Sequence, residues 1–487
     1  MNALQMYLIL AIPLAIALAV FFIPSSKVAG ALNAFGYGLE LIASVWFARY
    51  ILANKHIADG MLYSDALSGL FVLLISIITF ASALYSIPFI ERDVQSKKIS
   101  QRQPRTYYLL FNLFSFSMYL VVLVNNLGFL WIAIEMTTLA SAFLVGFYNN
   151  KHSVEAAWKY IIICSVGISL ALLGTILFYF TVSHNGAMHS LNWSDFISVA
   201  SKLDKNVVKI AFLFILVGYG TKAGLAPMHT WLPDAHSQAL APISALLSGV
   251  LLTTSLYAII RFAVITNAVA GPAYTSHLFI FFGLISIAVA AAFILVQKDI
   301  KRLLAYSSIE HIGIIALGLG FGGSIGCYGA LLHVFNHAAT KALMFFTAGD
   351  ITHLYNTHNM RKIRGAASAL PFGGPITVLA AFALGGTPPF SLFFSEVIIL
   401  YAGFVRGAYA AGAFYIALLA VVFGGLIYHF AQISFGKKPE HIVAAGTPAI
   451  AKSAFIFLFV FVCFSGFIFP DFHALLKAAA GIVQGTR

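Results

Sequence analysis

Gly218-Tyr-Gly220-Thr-Lys222-Ala-Gly224-Leu-Ala-Pro227-Met-His229-Thr-Trp231-Leu-Pro233-Asp234-Ala-His236 places a lysine inside an otherwise apolar run. A charge at mid-bilayer costs at least about 2.5–3.5 kcal/mol, so it persists only with a partner, a watered cavity or a task. Three glycines and a proline around Lys222 are what a discontinuous helix needs, because backbone groups freed near Pro227 can line a hydrated space. Lys222 reads either as a proton carrier in such a space or as a lysine snorkelling to the nearer headgroups.

The surrounding composition makes the membrane setting plain. Of 487 residues, 61% are hydrophobic and 9% charged, with mean hydropathy +0.93. Soluble domains carry about 25% charged residues. The formal charge of +12 is scattered through short loops rather than gathered into a stripe, so no nucleic-acid partner is expected. Cys164, Cys327 and Cys463 lie far apart in apolar runs, without ligand spacing for an iron–sulfur cluster or zinc. The Gly318-Leu-Gly320-Phe-Gly322-Gly323 run follows a membrane helix rather than a strand, which excludes a dinucleotide fingerprint. No cofactor and no metal are expected.

Apolar stretches of about 20 residues predict an all-α polytopic membrane protein with about fourteen helices. Their approximate cores are 5–24, 29–53, 66–90, 107–125, 128–148, 156–182, 208–231, 240–266, 276–297, 303–321, 325–354, 370–408, 410–434 and 453–470. The first run lacks a basic flank and a small-residue cleavage site, and reads as a retained span. The stretch 370–408 is too long for one straight span, and Gly385-Gly386-Thr387-Pro388-Pro389 interrupts it. Period-two alternation is absent, so a β-barrel is not expected. Lys27, then Arg92 to Arg105, Lys151, Lys298 to Arg302, Arg361 to Arg364, and Lys437 with Lys438 all fall in odd-numbered connections. The positive-inside rule puts these in the cytoplasm and both termini outside the inner (plasma) membrane.

Other ionisable residues fall inside the spans. Glu135, in Trp131-Ile-Ala-Ile-Glu135-Met-Thr137-Thr138, reads as a proton-exchanging acid or as an acceptor tying helices together. By rise per residue, Lys222 lies about 18 Å and Glu135 about 10 Å below the outer ends of their helices, so contact does not follow from the sequence. His333, His337 and Lys341 recur every four residues and share one helix face. Imidazoles on such a face suit proton shuttling, while His-x-x-x-His without a third ligand is a weak metal signal. Glu396 follows the Pro388-Pro389 break as Lys222 precedes the Pro227 break, the placement expected of two internal repeats. The repeats divide the chain into 1–106 (helices one to three), 107–266 (four to eight), 267–434 (nine to thirteen) and 435–487 (helix fourteen and tail). Lesser candidates are Arg261, Glu310, His311, His229, His236 and His429; Asp234, His229 and His236 read as a capped helix end or a water entrance. Glu40 and Asp65 are expected at the membrane interface.

Lys222 through His236, Lys298-Asp-Ile-Lys301-Arg302-Leu-Leu-Ala-Tyr306-Ser307-Ser308 and His333 through Lys341 together resemble the signature of one family. It is the antiporter-like, proton-translocating family shared by complex I, Mrp-type sodium/proton antiporters and energy-converting hydrogenases. Ser308-Ile-Glu310-His311-Ile-Gly313 and Glu135-Met-Thr-Thr-Leu-Ala-Ser-Ala-Phe-Leu-Val-Gly-Phe-Tyr148 are most similar to its hydrogenase-4 component F branch. The resemblance implies two inverted five-helix repeats, each with a broken helix, and a central line of hydrated charges. It also implies that Glu135 pairs with Lys222 and that Glu396 ends the line.

Many relatives have a lysine in span eight where this chain has Thr253, so the middle of the line must run through water, His311 or the span-eleven face. The chain ends soon after span fourteen, without the long lateral helix of the distal complex I subunit. The expected function is proton translocation in a hydrogenase- or complex I-like redox assembly. The relay would run through Glu135, Lys222, His311, His333, His337, Lys341 and Glu396, with Pro227, Pro388 and Pro389 at the breaks and no redox centre of the chain's own. The expected partners are the assembly's other membrane subunits, lipid, and protons. The alternative is a subunit of a sodium/proton antiporter without redox coupling.

Overall fold

The computed structural model describes residues 3–184, 190–465 and 470–485. Helices α1 (Leu4–Phe22) and α2 (Ser26–Asn54) lead into a hairpin of β1 (His56–Asp59) and β2 (Leu62–Asp65), too short to register as an apolar period. Then come α3 (Ala66–Gln95), α4 (Gln103–Leu123), α5 (Leu127–Val145) and α6 (Lys151–His184). A short α7 (Trp193–Ser198) precedes α8 (Lys205–Ala223) and α9 (Leu232–Gln238). Helix α10 (Ala241–Leu246) continues through a π turn, Leu247–Leu251, into α11 (Leu252–Ala270). The second half holds α12 (Pro272–Val296), α13 (Ile300–Phe321), α14 (Gly323–Tyr355), α15 (Ala366–Ala369), α16 (Gly373–Leu384), α17 (Ser391–Val405) and α18 (Tyr409–Ser434). Helices α19 (Ala449–Phe464) and α20 (Pro470–Gln484) complete the described chain.

Eleven helices among the described residues are long and apolar enough to cross a membrane, counting Ala241–Ala270 as one. With α14, the broken pair α16/α17 and the shorter α19, they make about fourteen passages. Of the last expected core, 453–470, residues 466–469 lie outside the described residues. Helix α20 packs against α3 and α14.

Pairings between connections sort them into two faces. On one face, Leu62 bridges Val124 and Asn126 bridges Asn192, joining even-numbered connections. On the other, Asp299 bridges Asn359, Lys27 pairs with Glu91 at 2.9 Å, and Asp234 pairs with both Lys159 and Arg302, all at odd-numbered connections or in the helix ends beside them. Burial alone would raise the Asp299 carboxyl, but His358 and the Arg302 backbone N–H hold it below its usual range. Such sorting by parity is what successive spans that cross produce.

Both broken helices obey the rule that no backbone amide may face hydrocarbon unpaired. Helix α8 ends at Gly224, whose φ of +84° suits glycine. In the gap that follows, Leu225 N–H donates to Gly220 O, Ala226 N–H to Ser286 Oγ at 2.9 Å and Met228 N–H to Leu225 O. In the second break, Gly386 N–H donates to Ala383 O and Thr387 N–H to Phe382 O. The exposed residues at the breaks include Pro227, Pro388 and Pro389, which have no N–H to satisfy.

Helices α10, α11 and α13 are buried almost throughout, while α1, α6, α12 and α18 form much of the perimeter. The core contains Arg261, whose guanidinium grips Asp65 with two bonds, 2.6 and 2.7 Å, and also donates to Tyr257 and Ser68 hydroxyls. Asp65 Oδ1 additionally caps α3 through the N–H groups of Leu67 and Ser68. Asp65, at the very start of α3, is buried in the protein, held there by a cation and by the helix start it caps. Glu40 departs from expectation, being fully buried midway along α2.

Removing one partner of a buried, hydrogen-bonded ion pair costs about 3–5 kcal/mol, because the other charge is stranded. Arg261→Met should therefore lower the thermal stability of the detergent-solubilised protein markedly, and adding Asp65→Asn should restore part of the loss. Equal melting temperatures for wild type and Arg261→Met would show the pair to be dispensable.

Candidate functional site

The first group forms where α8 presses on α6. A Cβ on Gly218 would lie 2.5 Å from the Ala171 backbone nitrogen, and one on Gly167 would lie 2.6 Å from Thr221 Cβ. Small residues permit this approach, and it carries Lys222 onto Tyr160 of α6. The Lys222 ammonium donates to Tyr160 OH at 2.5 Å and to Thr138 Oγ1 at 2.7 Å, and lies 4.6 Å from the Tyr160 ring centroid. Snorkelling is excluded, because the whole side chain is buried.

Glu135 does not touch Lys222 directly. The Thr138 hydroxyl accepts from Lys222 and donates to Glu135 Oε2 at 3.2 Å, while Ser165 donates to Oε1 at 3.2 Å. The implied pair is thus a triad with a hydroxyl between acid and base. Glu135 is only partly buried, on a face of α5 that exposes Ile132, Leu139 and Phe143.

From Tyr160 the packing continues inward. Its ring lies 4.6 Å from that of Trp231, whose Nε1–H donates to Thr221 O, and Trp231 lies 6.2 Å from His236. His236 is fully buried on α9, with Nδ1 bonded to Leu232 O and Nε2 free of protein partners. It interacts electrostatically with Lys341. A residue read from sequence as a helix cap or water entrance therefore stands between the two halves.

The second group lies between α13, α14 and α17, and all its members are buried. Lys341 Nζ donates to Leu304 O at 2.9 Å and interacts electrostatically with Glu310. Glu310, a lesser candidate by sequence, is the acid that faces this lysine; it accepts from Ser307 at 3.2 Å. Thr253 bonds back to Gly249 O and Val250 O and offers no charge. The π turn beside it presents Ser248, whose hydroxyl lies 2.7 Å from Ser308 Oγ and whose carbonyl accepts from His337 Nε2 at 3.3 Å.

Hydrogen-bond direction assigns the histidine tautomers. Ser395 gives its hydroxyl proton to Leu392 O, so it accepts from His333 Nδ1 at 2.9 Å. A neutral His333 must then accept at Nε2, 3.0 Å from His311 Nδ1, which donates. His311 Nε2 then carries a lone pair with no donor, and the Leu384 backbone lies beside this ring. The same reasoning leaves His337 Nδ1 bare, because Nε2 faces a carbonyl. The His311 and His337 rings are 5.0 Å apart. Two adjacent acceptors in a buried pocket are suited to receiving a proton.

Glu396 joins this group: ligand atoms of His311, His333 and Glu396 lie within 4.8 Å of one another. These are the residues that could gather on a metal ion, but binding would break one of His333's two hydrogen bonds. His229 and His429 stand apart. His229 packs on Tyr306, and His429 Nε2 donates to Ile294 O. Sequence reasoning missed Ser395 and the bridging role of Thr138; their only signal is adjacency to Glu396 and a single-turn spacing from Glu135.

A family model described as NADH:quinone oxidoreductase/Mrp antiporter, TM, matches residues 124–424. The chain is 38% identical over 422 residues to a hydrogenase-4 component F homolog of Methylacidiphilum infernorum, covering 85% of this chain and 87% of that one. Its fold superimposes with a TM-score of 0.87 on a chain of an archaeal membrane-bound sulfane sulfur reductase, at 24% identity, covering 98% of this chain and 97% of that one. It superimposes with 0.86 on a chain of the Mrp complex of Dietzia sp. DQ12-45-1b, at 18% identity, covering 99% and 97%.

Thr138→Val removes the bridge while keeping the shape, and Thr138→Ser keeps the hydroxyl. Transport by the assembled complex should fall severely in the first and survive in the second. Equal transport by wild type and Thr138→Val would show that the hydroxyl does not couple Glu135 to Lys222.

Proposed function

Because the chain belongs to the NADH:quinone oxidoreductase/Mrp antiporter membrane family, we propose that it moves protons along Glu135, Lys222, His311, His333, His337, Lys341 and Glu396, joined by His236 and Glu310. It is a multi-pass, proton-translocating membrane subunit of a multisubunit complex of the hydrogenase-4 and complex I kind. The observation that carries the relay is the set of buried titratable groups running from α8 to α17, past both helix breaks. Keeping so many such groups in a membrane core is costly for a scaffold.

In this reading the partly exposed Glu135 is the input, because a neighbouring subunit can reach it. A change there that draws Glu135 from Thr138 removes the anionic support of Lys222 and favours release of its proton. His236 and Lys341 receive that charge, the bare nitrogens of His337 and His311 pass it on, and Glu396 ends the line. Separating charges in low dielectric costs several kcal/mol, so the push must come from a strongly exergonic partner reaction. The redox subunits of a hydrogenase-like assembly are the fitting partners.

The two five-helix repeats, 107–266 and 267–434, give each half of the relay one broken helix. The face rich in Lys27, Arg92, Lys301, Arg302 and Arg361 is the cytoplasmic one, by the positive-inside rule, in the inner (plasma) membrane. Both termini then lie outside. The similarity to an Mrp complex chain favours a second reading, sodium/proton exchange without redox coupling.

Proton movement by the purified complex in sealed vesicles, wild type against Lys222→Ala at equal assembly, tests the relay. Loss of pumping is expected; unchanged pumping would leave Lys222 as a structural charge. Pumping that requires sodium and persists without electron donor would favour the second reading.

A further inference from the structure

Outside the central line, α2 carries Asn33, Tyr37, Glu40 and Ser44 at spacings of four, three and four, so they share one face. All four are fully buried. This face packs on α3 and α4. Asn112 Nδ2 donates to Asn33 Oδ1 at 2.7 Å, Ser44 and Ser76 hydroxyls are 2.5 Å apart, and Tyr119 OH lies 2.9 Å from Ser76 Oγ. Helix α3 adds Ser76, Thr79, Ser82 and Ser86, likewise on one face and fully buried, with Ser86 Oγ 2.7 Å from Tyr107 OH. Two turns beyond Ser86, Asp93 accepts from Tyr148 OH at 2.7 Å. It lines a cavity of about 400 Å³ on the odd-numbered face, together with Lys98, Lys301, His353 and His358.

Glu40 is anomalous in this seam. Neither carboxyl oxygen has a hydrogen-bond partner, and the residue forms no ion pair among the described residues. The titratable groups that face it are phenols, Tyr37 and Tyr119, which supply no positive charge. A bare carboxylate in such surroundings is far more expensive than a neutral acid. Helix packing does not need an acid here, since a glutamine would fill the same volume. Ser76, Thr79 and Ser86 donate to carbonyls one turn back on α3, those of Val72, Ile75 and Ser82, whereas Ser82 Oγ has no hydrogen-bond partner, so a proton crossing this row requires those hydroxyls to turn from the carbonyls.

We propose that Glu40 is a second proton-binding site, off the central line, which holds its proton as a neutral carboxylic acid. It exchanges that proton with the cavity at Asp93 through the hydroxyl seam of α3. The Glu40 O–H bond breaks as its proton passes towards Ser82 and Ser86, and a proton entering from the cavity re-forms it, so no net charge is stranded at Glu40.

Infrared spectra of the assembled complex at neutral pH, wild type minus Glu40→Gln, test this. A carboxylic C=O band should be lost in the variant, and in wild type that band should shift when water is replaced by heavy water. Glu40→Asp, which retains the acid if Gln impairs assembly, should move the band rather than abolish it. Absence of any acid band assignable to residue 40 would overturn the proposal, as would a band insensitive to heavy water. Loss of the band on adding sodium would also overturn it, making the site one for a metal cation.

Discussion

Hydrocarbon offers no hydrogen bonds, and the whole arrangement follows from how this chain interrupts two helices within it. Each break must satisfy its own amides. It does so with prolines at exposed positions, with a side chain borrowed from a neighbouring helix (Ser286), and with Trp231 bonded to Thr221 O. Those partners fix α9 and α12 against α8 around the first break. The aromatic step from Tyr160 through Trp231 to His236 is a by-product of that repair, and it connects the two halves of the molecule. The polar line is therefore a consequence of healing the backbone as much as of placing charges.

The charges in turn are buffered by neutral groups. Lys222 meets two hydroxyls before any acid, and Lys341 meets a carbonyl. His311 donates directly to His333 and His333 to Ser395, so a proton handed from His311 to His333 would reverse the direction of the bond between them. Strong ion pairs are reserved for structure: Arg261 with Asp65, and Arg92 with Asp350 at 2.6 Å. A tight salt bridge holds its charges in place, whereas a hydroxyl between acid and base lets either one change state at lower cost.

Features that vary along one dimension were legible in the sequence. Apolar runs gave the number of passages, and basic loops sorted into the two faces that the bridges join. Gly224 and Pro227, like Pro388 and Pro389, marked the breaks directly. What depends on the relative height and rotation of separate helices was not legible. Depth estimates set Glu135 and Lys222 apart, and only the packing of α5 against α6 and α8 reveals Thr138 between them. Glu310 looked secondary because nothing in its neighbourhood indicates that α13 turns it towards Lys341. The burial of Asp65 was not legible because its partner lies 196 residues away.

The π turn at Leu247–Leu251 contains one residue more than an α turn would. An extra residue in a helix acts as a rotational offset of about 100° for everything downstream. Within the π turn, the Ser248 carbonyl addresses His337; downstream, Arg261 addresses Asp65 across the molecule. Chain length at this point thus behaves as an angular coordinate: trimming a single residue would yield a more regular helix that aims one of these two contacts away from its target.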